Sequence, residues 1–215
     1  MIFGKLISLL LLFVGFFAIS QVVFPVISFK LWEMGERIYS GTVLASPQSE
    51  DTQKILGVSV KSEGNFPQII SDISRATVPA YDQFSLTIPT MGLKNETVYV
   101  DSNDLSLGLV HLPGSALPGE KGNSFISGHS ALPSFIGPKA KAIFANLPKI
   151  KKGDKIMVEA DGVQYNYLVE TIKTINPKDL SVIAPPDNQG RFITLMTCVP
   201  PGLNLKRLIV IGKMI

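Results

Sequence analysis

The sequence predicts a mainly β domain, a sandwich or a closed barrel, carried behind one apolar N-terminal helix. Three observations predict it. From Ser85 onward, short β-type runs alternate with Pro and Gly clusters, a pattern of many short strands with few helices. Between Lys5 and Lys30 lie twenty-four residues without a charge, and six of the twelve phenylalanines fall in the first thirty positions. The single cysteine among 215 residues excludes a disulfide scaffold or a cysteine-rich zinc module. Beyond position 30, eighteen Lys and Arg face all seventeen Asp and Glu, a net of +1. The basic balance of the whole chain is therefore no sign of a nucleic-acid partner.

Taken in order, residues 1–30 read as a transmembrane signal-anchor. Leu6–Phe29 as a helix would be about 36 Å long, enough for a hydrocarbon core of about 30 Å. Ala18-Ile19-Ser20 offers a rival cleavage site, but the apolar run continues to Phe29, past the usual signal-peptide length. Trp32 fits an interfacial anchor. Residues 31–80 form a stalk and accessory segment, with short strands expected at Ile55–Val60 and Gln68–Ile73 around Gly64-Asn65. Residues 81–215 form the β domain. Its strands are expected at Ser85–Ile88, Thr97–Val100, Ser124–Ser127, Lys155–Glu159, Gln164–Ile175, Arg191–Thr197 and Leu208–Ile211. Asp161-Gly162 is a hairpin signal. Lys139–Asn146 is the best helix candidate, its apolar residues on one face and Pro148 closing it. The lysines at 139, 141, 149, 151, 152 and 155 read as a solvated face.

Chemistry must come from few residues, since the chain has two histidines and one cysteine. Cys198 ends an apolar strand that Pro200-Pro201-Gly202 stops, because proline cannot donate to a sheet ladder. The next strand opens with Arg207. If the two strands pair as a hairpin, the thiol and the guanidinium are near neighbours, about 5 Å apart at Cβ. His129 ends another strand, and Gly128 before it allows an unusual dihedral or a close backbone approach. Thr197 alternates to the opposite face from Cys198, which leaves it a supporting role. On residue physics alone the bland alternatives stay open: a small buried thiol, a structural histidine, a surface arginine.

The stretch Leu195-Met196-Thr197-Cys198, with Arg207 nine residues on, resembles the active-site signature of sortases. Leu86-Thr87-Ile88-Pro89 resembles that family's first core strand. His111-Leu112-Pro113-Gly114, Ala116-Leu117-Pro118-Gly119-Glu120, Asn123 and Gly128-His129-Ser130 resemble the segment carrying its catalytic histidine, and Asn146-Leu147 to Gly153-Asp154 its helix-to-strand region. The resemblance covers about 85–213. It implies a closed eight-stranded β-barrel with one or two short helices, and His129, Cys198 and Arg207 as catalytic positions. Thr197 and Gly128 would support them, and His111, before a proline turn, reads as structural. It also implies a single-pass membrane protein with its catalytic domain outside the cytoplasm. Its expected partners are surface proteins bearing an LPxTG-like sorting signal and an amine acceptor on a cell-wall precursor or pilin. No cofactor is expected, and no dense carboxylate cluster suggests a metal. Asp82-Gln83-Phe84 is a poor echo of the acidic-aromatic lid of pilin-polymerising members.

The implied chemistry is acyl transfer through a Cys198 thioester, with His129 moving protons and Arg207 stabilising the oxyanion. With reference pKa values of about 8.5 and 6.5, under about 1% of molecules would hold thiolate and imidazolium together at pH 7. Arg207 is expected to lower the thiol pKa. Alternatives are a degenerate, non-catalytic peptide-binding barrel and a hydrolysing cysteine peptidase. An L,D-transpeptidase is disfavoured because its Ser-His-Gly-Cys stretch is absent. A thiol oxidoreductase is disfavoured because no second cysteine exists to resolve a disulfide.

Overall fold

The structure, a computed structural model, describes residues 2–39, 54–55, 58–63, 66–73, 78–130, 142–201 and 205–215. The chain divides into two compact units, Met1–Pro47 and Gln48–Ile215. In the first, Ile2–Tyr39 forms one α-helix, α1. Leu9–Val14, Phe16, Phe17, Phe24 and Ile27 on it are exposed. Taken over the described residues alone, no helix is long and apolar enough to cross a membrane. The uncharged run between Lys5 and Lys30 is a property of the sequence.

The second unit contains a three-stranded sheet and a barrel. The small sheet is β1 (Lys54–Ile55), β2 (Val58–Glu63) and β3 (Phe66–Ser71), in that order. β2 and β3 pair antiparallel from Val58↔Ser71 to Glu63↔Phe66, so a hairpin stands where the two short strands around Gly64-Asn65 were expected. Eight further strands follow: β4 (Gln83–Ile88), β5 (Leu93–Tyr99), β6 (Leu109–His111), β7 (Gly122–Ser127), β8 (Lys155–Ala160), β9 (Val163–Ile175), β10 (Arg191–Val199) and β11 (Lys206–Met214). They close as a barrel in the order β10-β11-β9-β8-β4-β5-β6-β7, as expected. Closure comes from a parallel pairing of β7 with β10, and β5 also runs parallel to β6. Asp161 and Gly162 both adopt positive φ, 49° and 74°, the backbone a two-residue turn between right-twisted strands requires. They join β8 to β9.

Alternation sorts the side chains. Ile193 and Leu195 of β10, Leu208 and Val210 of β11, Ile126 of β7 and Leu86 of β4 are fully buried. A second apolar cluster joins Phe192 and Met196 of β10, Ile209 and Ile211 of β11, Phe125, Ile175, Leu180 and Val182, together with Val58 and Ile69 of the β2–β3 hairpin. Cross-strand partners share a face, so Met196↔Ile209 lies on the same face as Cys198↔Arg207, one row away. The accessory hairpin therefore packs against the face of the sheet that carries the cysteine. Its base is tied down at Ser71, whose N–H donates to Asn103 Oδ1 at 3.2 Å and whose carbonyl accepts from Asn103 Nδ2 at 3.0 Å.

Two local expectations change. In place of an α-helix over Lys139–Asn146, the described part, Ile143–Lys149, is 3-10 and contains Pro148 rather than ending before it. Phe144 and Leu147 are fully buried from this segment, so packing overrides the helical period. Lys139–Lys141 lie outside the described residues. Leu109–His111 forms a strand that was not expected, three residues long and paired on both sides; it is too short to show alternation.

Candidate active site

β10 and β11 pair antiparallel with Cys198 and Arg207 as direct partners. The Cys-to-Arg neighbourhood inferred from the hairpin is what the structure shows. β7 runs parallel on the other side of β10, its last matched pair being Met196↔Ser127. Continued two residues, that register sets His129 level with Cys198, one strand spacing of about 4.8 Å away. The sheet thus pairs Cys198 with Arg207 directly, while His129 follows the end of the neighbouring strand β7. Arg207 is buried, only 2% exposed, and its Nη1 donates to the Lys206 carbonyl at 3.2 Å. Cys198 and His129 are half-buried, and the thiol is free.

Gly128 is required by close approach. A Cβ there would sit 2.5 Å from Leu109 Cδ2 and 2.7 Å from Phe144 Cδ2. The Phe144 N–H donates to the His129 carbonyl at 3.1 Å, so the 3-10 segment fixes the histidine's backbone from outside the barrel. Thr197, buried on the opposite face from Cys198, donates its hydroxyl to the Gly128 carbonyl at 2.8 Å. Ser130 was quoted in the sequence only as the residue after the histidine. It is buried, and its hydroxyl donates to the Cys198 carbonyl.

Electrostatics set the resting state of the site. Burial pushes the Cys198 thiol up from its ordinary value, and the Arg207 guanidinium beside it pulls it back by less. Arg207 acts in the expected direction but does not win, because desolvating a thiolate costs more than one neighbouring cation returns. Burial holds His129 below its ordinary value. Both shifts favour a neutral thiol beside a neutral imidazole.

His111 sits apart from these residues. It is fully buried, with Nδ1 3.2 Å from Asp101 Oδ1 and Nε2 2.9 Å from both the Ala116 carbonyl and Ser115 Oγ. The order Asp–His–Ser has the connectivity of a hydrolase triad. However, Ser115 Oγ donates to the Leu112 carbonyl at 2.8 Å, and the Ser115 and Ala116 N–H groups are spent on the Leu112 and Asn123 carbonyls. The N–H groups of Ser115 and Ala116 are thus engaged and do not form an oxyanion hole. The cluster pins the loop from Leu112 to Lys121, in keeping with a structural His111. Among the described residues, no group of three or more His, Cys, Asp or Glu side chains is placed to hold a metal ion.

A closed eight-stranded barrel with one thiol paired to a buried guanidinium at a strand exit, and a histidine following the neighbouring strand, defines a class of thiol-centred β-barrel domains. Known proteins narrow that class. The family pattern described as the sortase domain matches residues 86–215. Sortase A of Bacillus anthracis is 31% identical over 143 residues, 66% of this chain and 60% of that protein. Sortase A of Listeria monocytogenes is 31% identical over 60% of this chain and 55% of its own length. The chain thus matches less than two thirds of the length of these curated relatives. Among solved structures, sortase A from Corynebacterium diphtheriae is similar with a TM-score of 0.55 at 34% identity, covering 66% of this chain and 63% of that one. The pilus-related sortase C of Group B Streptococcus gives 0.55 at 30% identity, covering 64% and 69%. The chain belongs to the sortase family.

Proposed function

We propose that this protein is a membrane-tethered cysteine transpeptidase that cleaves an LPxTG-like sorting motif and passes the acyl group to an amine. The observation that carries this is the direct pairing of Cys198 with Arg207 across β10 and β11, next to the end of β7 that leads into His129; it supports reading the three as one site. Family membership and the likeness to solved sortases A and C support the class of reaction. The uncharged run between Lys5 and Lys30 supports the tether, with residues 1–30 as signal-anchor, 31–80 as stalk and accessory segment and 81–215 as the catalytic domain outside the cytoplasm.

In the first half-reaction the Cys198 thiolate attacks the scissile carbonyl carbon. The oxygen takes up negative charge and is met by Arg207 donors, which act when charge develops rather than before. The C–N bond then breaks, the departing amine takes its proton from the His129 imidazolium, and a thioester remains on Cys198. In the second half an incoming amine attacks the thioester carbonyl and gives its proton to His129. Cys198 leaves as thiolate, and the pair is ready again. Thr197 and Gly128 act only by holding the backbone beneath the site. The acceptor is an amine of a cell-wall precursor or a pilin subunit.

The test uses the full chain in detergent micelles with a panel of sorting-motif peptides and either oligoglycine or a diaminopimelate-type amine, read by mass spectrometry. A thioester mass on the Cys198 peptide and an amine-dependent ligation product are expected, and Cys198→Ala should give neither. Cleavage without transfer would leave a hydrolase. Neither thioester nor product across the panel would remove the transpeptidase assignment.

A further inference from the structure

The regular β7–β10 ladder ends at Met196↔Ser127, two residues before Cys198 and His129. Its last backbone bond runs from the Gly128 N–H to the Met196 carbonyl at 3.1 Å. In a parallel ladder continued beyond that point, the Gly128 carbonyl would accept from a backbone N–H of β10, and the Cys198 carbonyl from one of β7. Here each accepts a hydroxyl from the opposite strand instead. Thr197 Oγ1 donates to the Gly128 carbonyl at 2.8 Å, and Ser130 Oγ donates to the Cys198 carbonyl. The two bonds run in opposite senses and bracket the histidine, with Gly128 on one side of it and Ser130 on the other. Both hydroxyl-bearing residues are buried, Thr197 at 2% and Ser130 at 6% exposure, so water competes weakly for them.

We propose that Ser130 is a positioning residue whose hydroxyl, paired with that of Thr197 in a reciprocal clasp, sets His129 against Cys198. This rests on reading the three residues as an acyl-transfer site. His129 follows the last residue of β7 by two positions and has no ladder of its own. Its backbone is located by its own carbonyl, which accepts from Phe144, and by its two neighbours, which are sewn to β10. Removing the Ser130 hydroxyl frees one of those neighbours. The imidazole then samples positions from which it cannot exchange a proton with Sγ, and a loss of about 1 Å in placement can cost about 10²-fold in rate. Ser130 itself touches neither substrate nor the reacting atoms.

The experiment compares Ser130→Ala, Ser130→Thr and Ser130→Val, the last two nearly equal in shape and differing in the hydroxyl. Two readouts are taken on the full chain in micelles. Steady-state kinetics with a sorting peptide should show kcat reduced about 10- to 100-fold in the Ala and Val variants with KM nearly unchanged, and restored in the Thr variant. Alkylation of Cys198 by iodoacetamide across pH 5–10 needs no peptide. There the Ala and Val variants should move toward the profile of His129→Gln, while the Thr variant follows wild type. Ala and Val variants with wild-type kcat and alkylation profile overturn the proposal. A Thr variant as impaired as Val also overturns it, since shape rather than the hydroxyl would then matter. If wild type makes no thioester, the transpeptidase assignment fails alone, and the alkylation arm still decides whether Ser130 positions His129.

Discussion

Replacing Arg207 by methionine should slow the chemistry of Cys198 by an amount the register allows to be worked out. Cys198 and Arg207 are direct antiparallel partners, with Cβ atoms about 5 Å apart, and about 5–6 Å is taken as the separation of thiolate and cation. At that separation a unit cation stabilises a thiolate by about 1 kcal/mol where water screens it fully, and by about 3 kcal/mol at an effective dielectric of about 20. Since the guanidinium is buried and the thiol half-buried, the upper part of that range applies. The thiolate fraction at neutral pH should fall by a factor on the order of 100, and iodoacetamide alkylation should slow in proportion. The only cysteine in the chain is Cys198, so one mass shift reports the site without ambiguity. Methionine keeps the packing volume and loses only the charge and the donors. Arg207→Lys keeps the charge, so it should alkylate nearer to wild type while losing transfer activity, because the planar fork of donors is gone. An Arg207→Met protein that melts like wild type and alkylates at the same rate at pH 7 would show that Arg207 does not stabilise the thiolate.

Three further outcomes follow from the same geometry. Gly128→Ala places a methyl against Leu109 and Phe144 and should destabilise by about 1–3 kcal/mol in urea unfolding, with activity falling as the His129 backbone shifts. Ile69→Ala empties the contact between the β3 hairpin and the barrel face, where Ile69 is buried, and should cost about 2–4 kcal/mol; an unchanged midpoint would mean the hairpin is not docked there. The pH dependence of stability has a defined sign for each group. Cys198 is shifted up from 9.0, so its contribution is present below pH 9.0 and is lost as pH rises through the folded value; Cys198→Ala should flatten that alkaline decline. His129 is shifted down from 6.5, so its contribution is present above pH 6.5 and is lost as pH falls through the folded value; His129→Gln should flatten the acid one.

The strands that carry the site could be read from sequence because their signals are local. Asp161-Gly162 carries the β8–β9 turn in its own backbone preferences. Pro200-Pro201 follows the end of β10 at Val199, so the Cys198–Arg207 pairing needed only two strands adjacent in sequence. The pairing of β7 with β10 has no such signal. Its partners, from Gly122↔Arg191 to Ser127↔Met196, are separated by 69 positions, and nothing in either segment names the other. That His129 belongs with Cys198 came from resemblance; the β7–β10 register, continued past Ser127, points the same way. β6 was lost because three residues cannot show a period of two. The 3-10 path of Ile143–Lys149 was lost because helical spacing of apolar residues says which side chains are buried, not how tightly the backbone winds. The role of Ser130 was out of reach for a related reason: a serine after a histidine has many uses, and only the position of the Cys198 carbonyl chooses among them.

The resting site is built against its own active form. From the ordinary values of 9.0 and 6.5, thiolate and imidazolium together would make up about 0.3% of an uncoupled pair between those pH values. Burial moves the thiol up and the imidazole down, so it widens that gap and lowers the fraction further. Because the neutral pair and the ion pair carry the same number of protons, pH alone cannot exchange one for the other. It can only bound the window in which their sum exists, which gives a broad bell-shaped rate profile with a low plateau occupancy. What raises the ion pair is a change in its surroundings. A peptide carbonyl seated between Sγ and Arg207 displaces water and receives the thiolate charge as the carbon–sulfur bond forms, so the cost of a buried thiolate is met in the transition state rather than before it. A thiol kept neutral until then is also a poor target for oxidants, which react with the thiolate. Such protection matters if, as proposed, the chemistry depends on one sulfur atom in an oxidising compartment. In the proposed reaction Arg207 stabilises a charge that arrives with the substrate, so it need not overcome burial in the resting site.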